Sequence, residues 1–171
     1  MRVLRVTSWN INGWKKIASM VKLGILVPFL FHVLLLQETF YTVNKKEKPP
    51  ALTGYIGFHV EAIVTGGRPS KGLTSFFEAN VFSNGTLKVE LCPVNWALVV
   101  RWLPAGSTSG MVFVNIYIPR HTDGFLIHEL ELFIRYFSTL RSSLPADDFL
   151  IGGDWNADRY RWTASRDPIV K

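Results

Sequence analysis

Four apolar runs in this chain each end in a polar cluster, and that pattern constrains the fold more than anything else in it. Residues 3–11 read as a strand whose end carries Ser8, Asn10 and Asn12. Residues 33–37 form a continuous apolar run that closes in Gln37, Glu38 and Thr39. Residues 111–118 hold Asn115 and Tyr117, and residues 149–151 lead into Asp154, Asn156 and Asp158. Strand side chains alternate between two faces, so four such strands can deliver carboxylates and amides to one sheet rim. The run at 33–37 is apolar without alternation, the pattern of a strand covered on both faces.

The remaining segments fit the same architecture. Residues 55–62 and 73–77 are strand candidates, with Gly66, Gly67 and Pro69 between them. Residues 81–91 read as a hairpin around Asn84-Gly85, and 95–103 with 111–118 as a second around AGSTSG. Residues 14–23 can form a short helix, and 44–50 are a charged loop ended by two prolines. The clearest helix spans 123–144. Leu126, Leu130, Phe133, Phe137, Leu140 and Leu144 stack on one face, Asp123 is the N-cap, and Pro145 is the stop. Strands with few helices predict an α/β chain with mixed sheets and flanking helices.

At 171 residues, one domain spanning 1–171 is expected, and the 48% hydrophobic content excludes a disordered chain. The net charge of +6 favours an anionic partner, with nucleic acid first, although many basic domains bind nothing anionic. Cys92 is the single cysteine, which excludes an internal disulfide and a cysteine-built metal site. The apolar stretch 23–36 is interrupted by Gly24, Pro28 and His32 and is shorter than the ~20 residues that a span needs. No signal peptide is read, so no membrane role and an intracellular location, nuclear or cytoplasmic, are expected. Asn84-Gly85-Thr86 matches a glycosylation sequon and reads better as a turn. Carboxylates and amides gathered at one rim are hard oxygen donors, suited to Mg²⁺ or Mn²⁺ rather than zinc.

The order of these clusters resembles the endonuclease/exonuclease/phosphatase superfamily, whose fold is the DNase I-like sandwich. The resembling residues are Asn10 and Asn12 in WNIN, Glu38 in QET, Tyr117 in NIYIP, and Asp154 with Asn156 in GDWN. Segment 67–77, GRPSKGLTSFF, is similar to the GRPSGGLAI stretch of endonuclease domains in non-LTR retrotransposons of the LINE type, with Lys71 where glycine is usual. GDWN stands where GDFN is commoner. The resemblance implies a DNase I-like four-layer α/β sandwich with two mixed sheets. It also implies a Mg²⁺-dependent phosphodiester hydrolase acting on DNA, with Mn²⁺ as the alternative metal.

Carried onto this chain, the resemblance gives residue roles. Glu38 is the main metal ligand and Asn10 helps to place the metal or the nucleophile. Asp154 orients or deprotonates the attacking water; Asn156 and Tyr117 contact the phosphate. By position rather than by the resemblance, Asn12, on the same strand face as Asn10, and Asn115, on the same face as Tyr117, are grouped as substrate-binding, beside Arg68, Lys71, Arg120, Arg159 and Trp155, which sit near the motif loops. Trp155, Tyr160 and Trp162 interleave with Arg159 and Arg161, a mixture that suits stacking and phosphate contact. Plainer readings compete at several positions. Asn12-Gly13 and Gly153-Asp154 are equally turns, Tyr117 is equally a core aromatic, and Glu38 alone is equally a solvent-exposed strand end.

One family motif has no counterpart. The family's active site ends in an Asp-His pair, whereas His32, His59, His121 and His128 all precede GDWN. The expectation is therefore a domain incomplete at its C-terminus, whose second sheet needs a further segment or a partner. Two rival functions follow. One is a phosphatase or phosphodiesterase of the same fold with a non-nucleic-acid substrate. The other is an inactive remnant that binds nucleic acid or protein.

Overall fold

A computed structural model describes residues 3–15, 17, 19, 31–42, 48–65, 68–119 and 127–156. In chain order they form β1 (Val6–Asn10), β2 (Val33–Gln37), β3 (Tyr55–Val60), β4 (Ile63–Thr65), β5 (Arg68–Ser70), β6 (Leu73–Glu78), helix α1 (Ala79–Phe82), β7 (Gly85–Glu90), β8 (Ala97–Pro104), β9 (Met111–Tyr117), helix α2 (Ile127–Ser143) and β10 (Asp148–Asp154). One four-stranded sheet has the order β1–β2–β6–β3, the other β10–β9–β8–β7, and β4–β5 form a separate ribbon. The β1/β2 and β9/β10 pairs are parallel and the other pairs antiparallel, so both sheets are mixed.

The sheets pack face to face, β1 on β10, β2 on β9 and β10, β6 on β8 and β9, and β3 on β8. Strand alternation decides which residues meet there. Val33 and Leu35 of β2, Leu73 and Phe77 of β6, Leu98 and Val100 of β8, and Phe113 of β9 fill the gap with Phe82. Phe77 lies edge-on to Phe82 and to Phe113, each at 5.2 Å between ring centroids, the T-shaped arrangement that ring quadrupoles favour.

The intervening residues serve the outer faces. Val99, Val112, Val114 and Ile116 pack with Trp96 against Leu130, Phe133, Phe137, Leu140 and Leu144, the apolar stripe expected of the helix. On the first sheet, Leu34, Leu36 and Phe76 are covered by Ile11, Ile17, Phe31 and Leu52. Strand β2 is therefore buried on both faces, as its unbroken apolar sequence predicts. Asp123 and Leu126, from the expected start of the long helix, lie outside the described residues. No described helix is long and apolar enough to cross a membrane.

One expectation is corrected. Asn84-Gly85 does not turn a hairpin: residues 79–82 are helical and Gly85 begins β7. Phe82 is buried against Phe77, Phe113 and Trp102, which fixes that helical turn. Gly85 pairs with Pro104, and an added Cβ would lie 2.6 Å from the Leu103 carbonyl oxygen, so only glycine fits this close approach.

At the sandwich end away from the polar clusters, Arg101 of β8 clamps Asp147. Arg101 Nε donates to Oδ2 at 2.6 Å and its terminal nitrogen to Oδ1 at 3.2 Å, while the Gly110 amide donates to Oδ1 at 3.0 Å. These bonds hold the Asp147 carboxyl below the usual carboxylate range against the opposing effect of burial.

Candidate active site

Four inward columns run from apolar to polar towards one rim. In β1 the column is Val6, Ser8, Asn10; in β2 it is Val33, Leu35, Gln37. In β9 it is Phe113, Asn115, Tyr117, and in β10 it is Leu150, Gly152, Asp154. Register makes the ends level, since Asn10 pairs with Gln37 and Asp154 with Tyr117. Gly152 permits the closeness: a Cβ there would lie 2.9 Å from Leu35 Cδ1 and 3.5 Å from Ser8 Cβ.

Two hydrogen bonds join the sheets across this rim. Asn10 Nδ2 donates to Asp154 Oδ2 at 2.7 Å, and the Tyr117 hydroxyl donates to Glu38 Oε1 at 2.6 Å. Residues 144 and 79 positions apart in the chain thus meet at one place. The Asp154 carboxylate also accepts from the Asn156 amide at 2.9 Å, and Asn156 Nδ2 donates to the Ile118 carbonyl at 2.7 Å.

Glu38 reaches the rim by breaking strand alternation. Gln37 points inward, so continued extension would send Glu38 to the opposite face. Its φ of 54° turns the carboxylate back to Tyr117. Asn12, Phe40, Lys71 and Asn156 also have positive φ, between 45° and 67°. All five lie in loops that follow β1, β2 or β10 or precede β6, at or beside the rim. Backbone in this region is unfavourable for residues other than glycine and persists where surroundings over-determine it. Here the loops brace one another. Gly13 N donates to Glu38 O at 2.7 Å, Trp14 N to Thr39 O at 2.9 Å, and Thr39 N to Gly72 O at 3.1 Å.

The remaining sequence-derived positions divide. Asn12 is not on the strand face with Asn10. The strand stops at Asn10, and Asn12 is an exposed turn residue whose amide donates to Asn10 Oδ1 at 3.2 Å. Asn156 likewise lies beyond β10, in the turn that Asp154 caps. Asn115 is wholly buried, which corrects its assignment as a substrate contact. Its Nδ2 donates to the Leu36 and Thr74 carbonyls, both at 3.1 Å. Trp155 is 47% exposed beside Asp154 and Lys71 is half-buried. The Arg68 side chain, and Arg120, His121, Arg159, Tyr160, Arg161 and Trp162, lie outside the described residues.

Other reactive groups sit elsewhere. His32 accepts the Arg5 amide on Nδ1 at 2.9 Å, at the start of β2. His59 is on β3 with Nδ1 3.0 Å from Thr74 Oγ1, and burial lowers its pKa. Burial raises the Cys92 thiol pKa, which makes it a poor nucleophile. Gln37 is the residue whose role the sequence reading missed. The available signal was a polar side chain at inward parity in an otherwise apolar strand.

No cluster of three His, Cys, Asp or Glu residues able to hold a metal occurs among the described residues. The rim still fits a magnesium ion by donor chemistry. Mg²⁺ is commonly held by only one or two carboxylates, with water and substrate phosphate completing its shell. Glu38 and Asp154 supply carboxylates, and Asn10 an amide oxygen.

This architecture, two mixed sheets with a polar rim at strand ends, is the DNase I-like fold, which several solved structures share. The AP endonuclease LMAP from Leishmania major matches with a TM-score of 0.63 at 19% identity, over 90% of this chain and 55% of that one. The human nocturnin catalytic domain with bound sulfate anion matches at 0.61 and 16% identity, over 96% and 69%. The endonuclease domain of TRAS1, a telomere-specific non-LTR retrotransposon, matches at 0.50 and 18% identity, over 96% and 65%. The chain thus spans little more than half of the Leishmania enzyme and about two thirds of the other two. No protein-family model matches the sequence, and no curated protein matches it.

Proposed function

We propose that this chain carries the catalytic rim of a metal-dependent phosphodiester hydrolase, a DNA endonuclease of the retrotransposon type. The observation that carries the reading is the pair of bonds across the two sheets, Asn10 to Asp154 and Tyr117 to Glu38. They gather two carboxylates, an amide and a phenol from four strands at one place. The endonuclease activity named for two structural relatives, the GRPSKGL segment and the net charge of +6 support DNA as the substrate.

In this reading Glu38 and Asn10 hold Mg²⁺, or Mn²⁺ in its place. Bound there, the ion would supply charge neutralisation at the phosphate and at the leaving oxygen. Asp154 accepts the proton of the attacking water, and Asn10 Nδ2 keeps its carboxylate oriented. Tyr117, exchanging its Glu38 bond for a phosphoryl oxygen when substrate is bound, and Asn156 contact the phosphate, while Lys71 and Trp155 hold the flanking strand by charge and stacking. Arg68, Arg120 and Arg159 are further phosphate contacts in the proposal. Strands β1 and β10 are sheet edges among the described residues, with Trp9 and Ile151 each 39% exposed, which supports a completing segment or partner along that seam.

The test is nicking of supercoiled plasmid with Mg²⁺, beside an EDTA control. Glu38→Ala and Tyr117→Phe are expected to lower the rate ~10²–10³-fold, the usual consequence of removing one electrostatic stabiliser. Metal-independent nicking, or nicking unchanged in Glu38→Ala, would sink the proposal. DNA binding without nicking, salt-dependent and insensitive to EDTA, would favour the remnant reading.

A further inference from the structure

We infer that the buried Gln37–Asn115 carboxamide pair is a positioning device for the rim, setting the inter-sheet gap beneath Glu38 and Tyr117. The inference rests on the reading of Glu38 as a metal ligand. Gln37 is 1% exposed and Asn115 0% exposed, in the gap that apolar residues otherwise fill. Burying two carboxamides there is unfavourable unless they are well bonded. Gln37 Nε2 lies 2.7 Å from Asn115 Oδ1, 3.0 Å from the Leu35 carbonyl and 3.1 Å from Ser8 Oγ. Asn115 Nδ2 donates to the carbonyls of Leu36 and Thr74, with Ser75 Oγ at 3.3 Å. Leu36 and Thr74 are register partners, so one amide grips two paired strands of the opposite sheet.

The pair therefore ties together β1, β2, β6 and β9. Directional bonds fix a spacing that apolar packing leaves adjustable. Gln37 immediately precedes Glu38, and Asn115 lies two residues before Tyr117 on the same strand face. The Gln37–Asn115 and Tyr117–Glu38 bonds are thus consecutive rungs, the first buried and the second at the rim. A shift of the buried rung moves the outer one with it.

Replacing both members by apolar residues of similar shape removes both carboxamides together, so neither is left buried without the other, and a folded protein is expected for Gln37→Met/Asn115→Leu. The protein is labelled with 3-fluorotyrosine, and among its five tyrosines the Tyr117 resonance is assigned with Tyr117→Phe. Expected in the double variant are a displaced or broadened Tyr117 fluorine signal and Mn²⁺ binding weakened ~10- to 100-fold, as for other groups that orient a metal ligand. Val33→Ala, a core truncation at the other end of the β2 column, should lower the melting temperature while sparing both readouts. An unchanged Tyr117 signal in the folded double variant would overturn the inference, as would a loss of melting temperature alone. If the double variant does not fold, Gln37→Met gives the same readouts. If the unmodified protein binds no Mn²⁺, the metal-ligand reading of Glu38 fails, and the Tyr117 signal still decides the positioning role.

Discussion

Replacing Arg101 by leucine is expected to destabilise the protein by about 3–5 kcal/mol, because it leaves the Asp147 carboxylate buried without its counter-charge. The Asp147 side chain is 1% exposed and receives two bonds from Arg101. For a domain of this size the loss corresponds to a melting temperature lower by roughly 6–20 °C. The penalty should depend on pH with a definite sign. In the unmodified protein the Asp147 pKa is depressed on folding, chiefly by the Arg101 bonds. Its contribution to stability is present above the unfolded carboxyl value and lost as pH falls through the folded one. In the variant, burial is opposed only by the Gly110 amide bond and raises the folded value relative to the unmodified protein, so protonation relieves the penalty as pH falls. The gap in melting temperature should therefore narrow between pH 7 and pH 4. A constant gap would show that Arg101 acts through packing alone. The clamp lies at the end of the sandwich away from the rim, so the Asn10–Asp154 and Tyr117–Glu38 bonds should be preserved in the folded variant.

Phe77→Ala is expected to cost about 3–5 kcal/mol, the range for deleting a buried phenyl ring from a core that relaxes only partly. Phe77 is fully buried and meets the rings of Phe58, Phe82 and Phe113, which come from β3, α1 and β9. Both sheets lose a common contact, so chemical denaturation should show a lower midpoint with an unchanged slope. A midpoint within the error of the unmodified protein would mean that the gap collapses to fill the cavity.

Much of this molecule was legible in its residues. The β2 strand was legible because it is apolar without alternation, and the long helix because its apolar stripe follows helical spacing. Glu38, Tyr117, Asp154 and Asn10 were legible because polar residues end apolar runs. The hairpin at Asn84-Gly85 was misread, since the dipeptide is a turn signal only when its flanks pair with each other. Here Gly85 pairs with Pro104 instead. Asn115 was misjudged because parity places a side chain on a face without saying whether that face meets solvent or another sheet.

The sequence by itself did not determine the β4–β5 ribbon or the helical turn at 79–82, but it determined most of the longer strands, which face each side chain takes within them, and that four strands end in polar groups. These follow from local sterics and hydrophobic period, which operate over a few residues. Only the tertiary structure decided that the four ends converge, with Asn10 reaching Asp154 and Tyr117 reaching Glu38. It alone turned Glu38 inward through a left-handed backbone, and it alone buried Gln37 against Asn115. Those outcomes depend on how two sheets stack, and stacking is set by the summed packing of residues far apart in the chain.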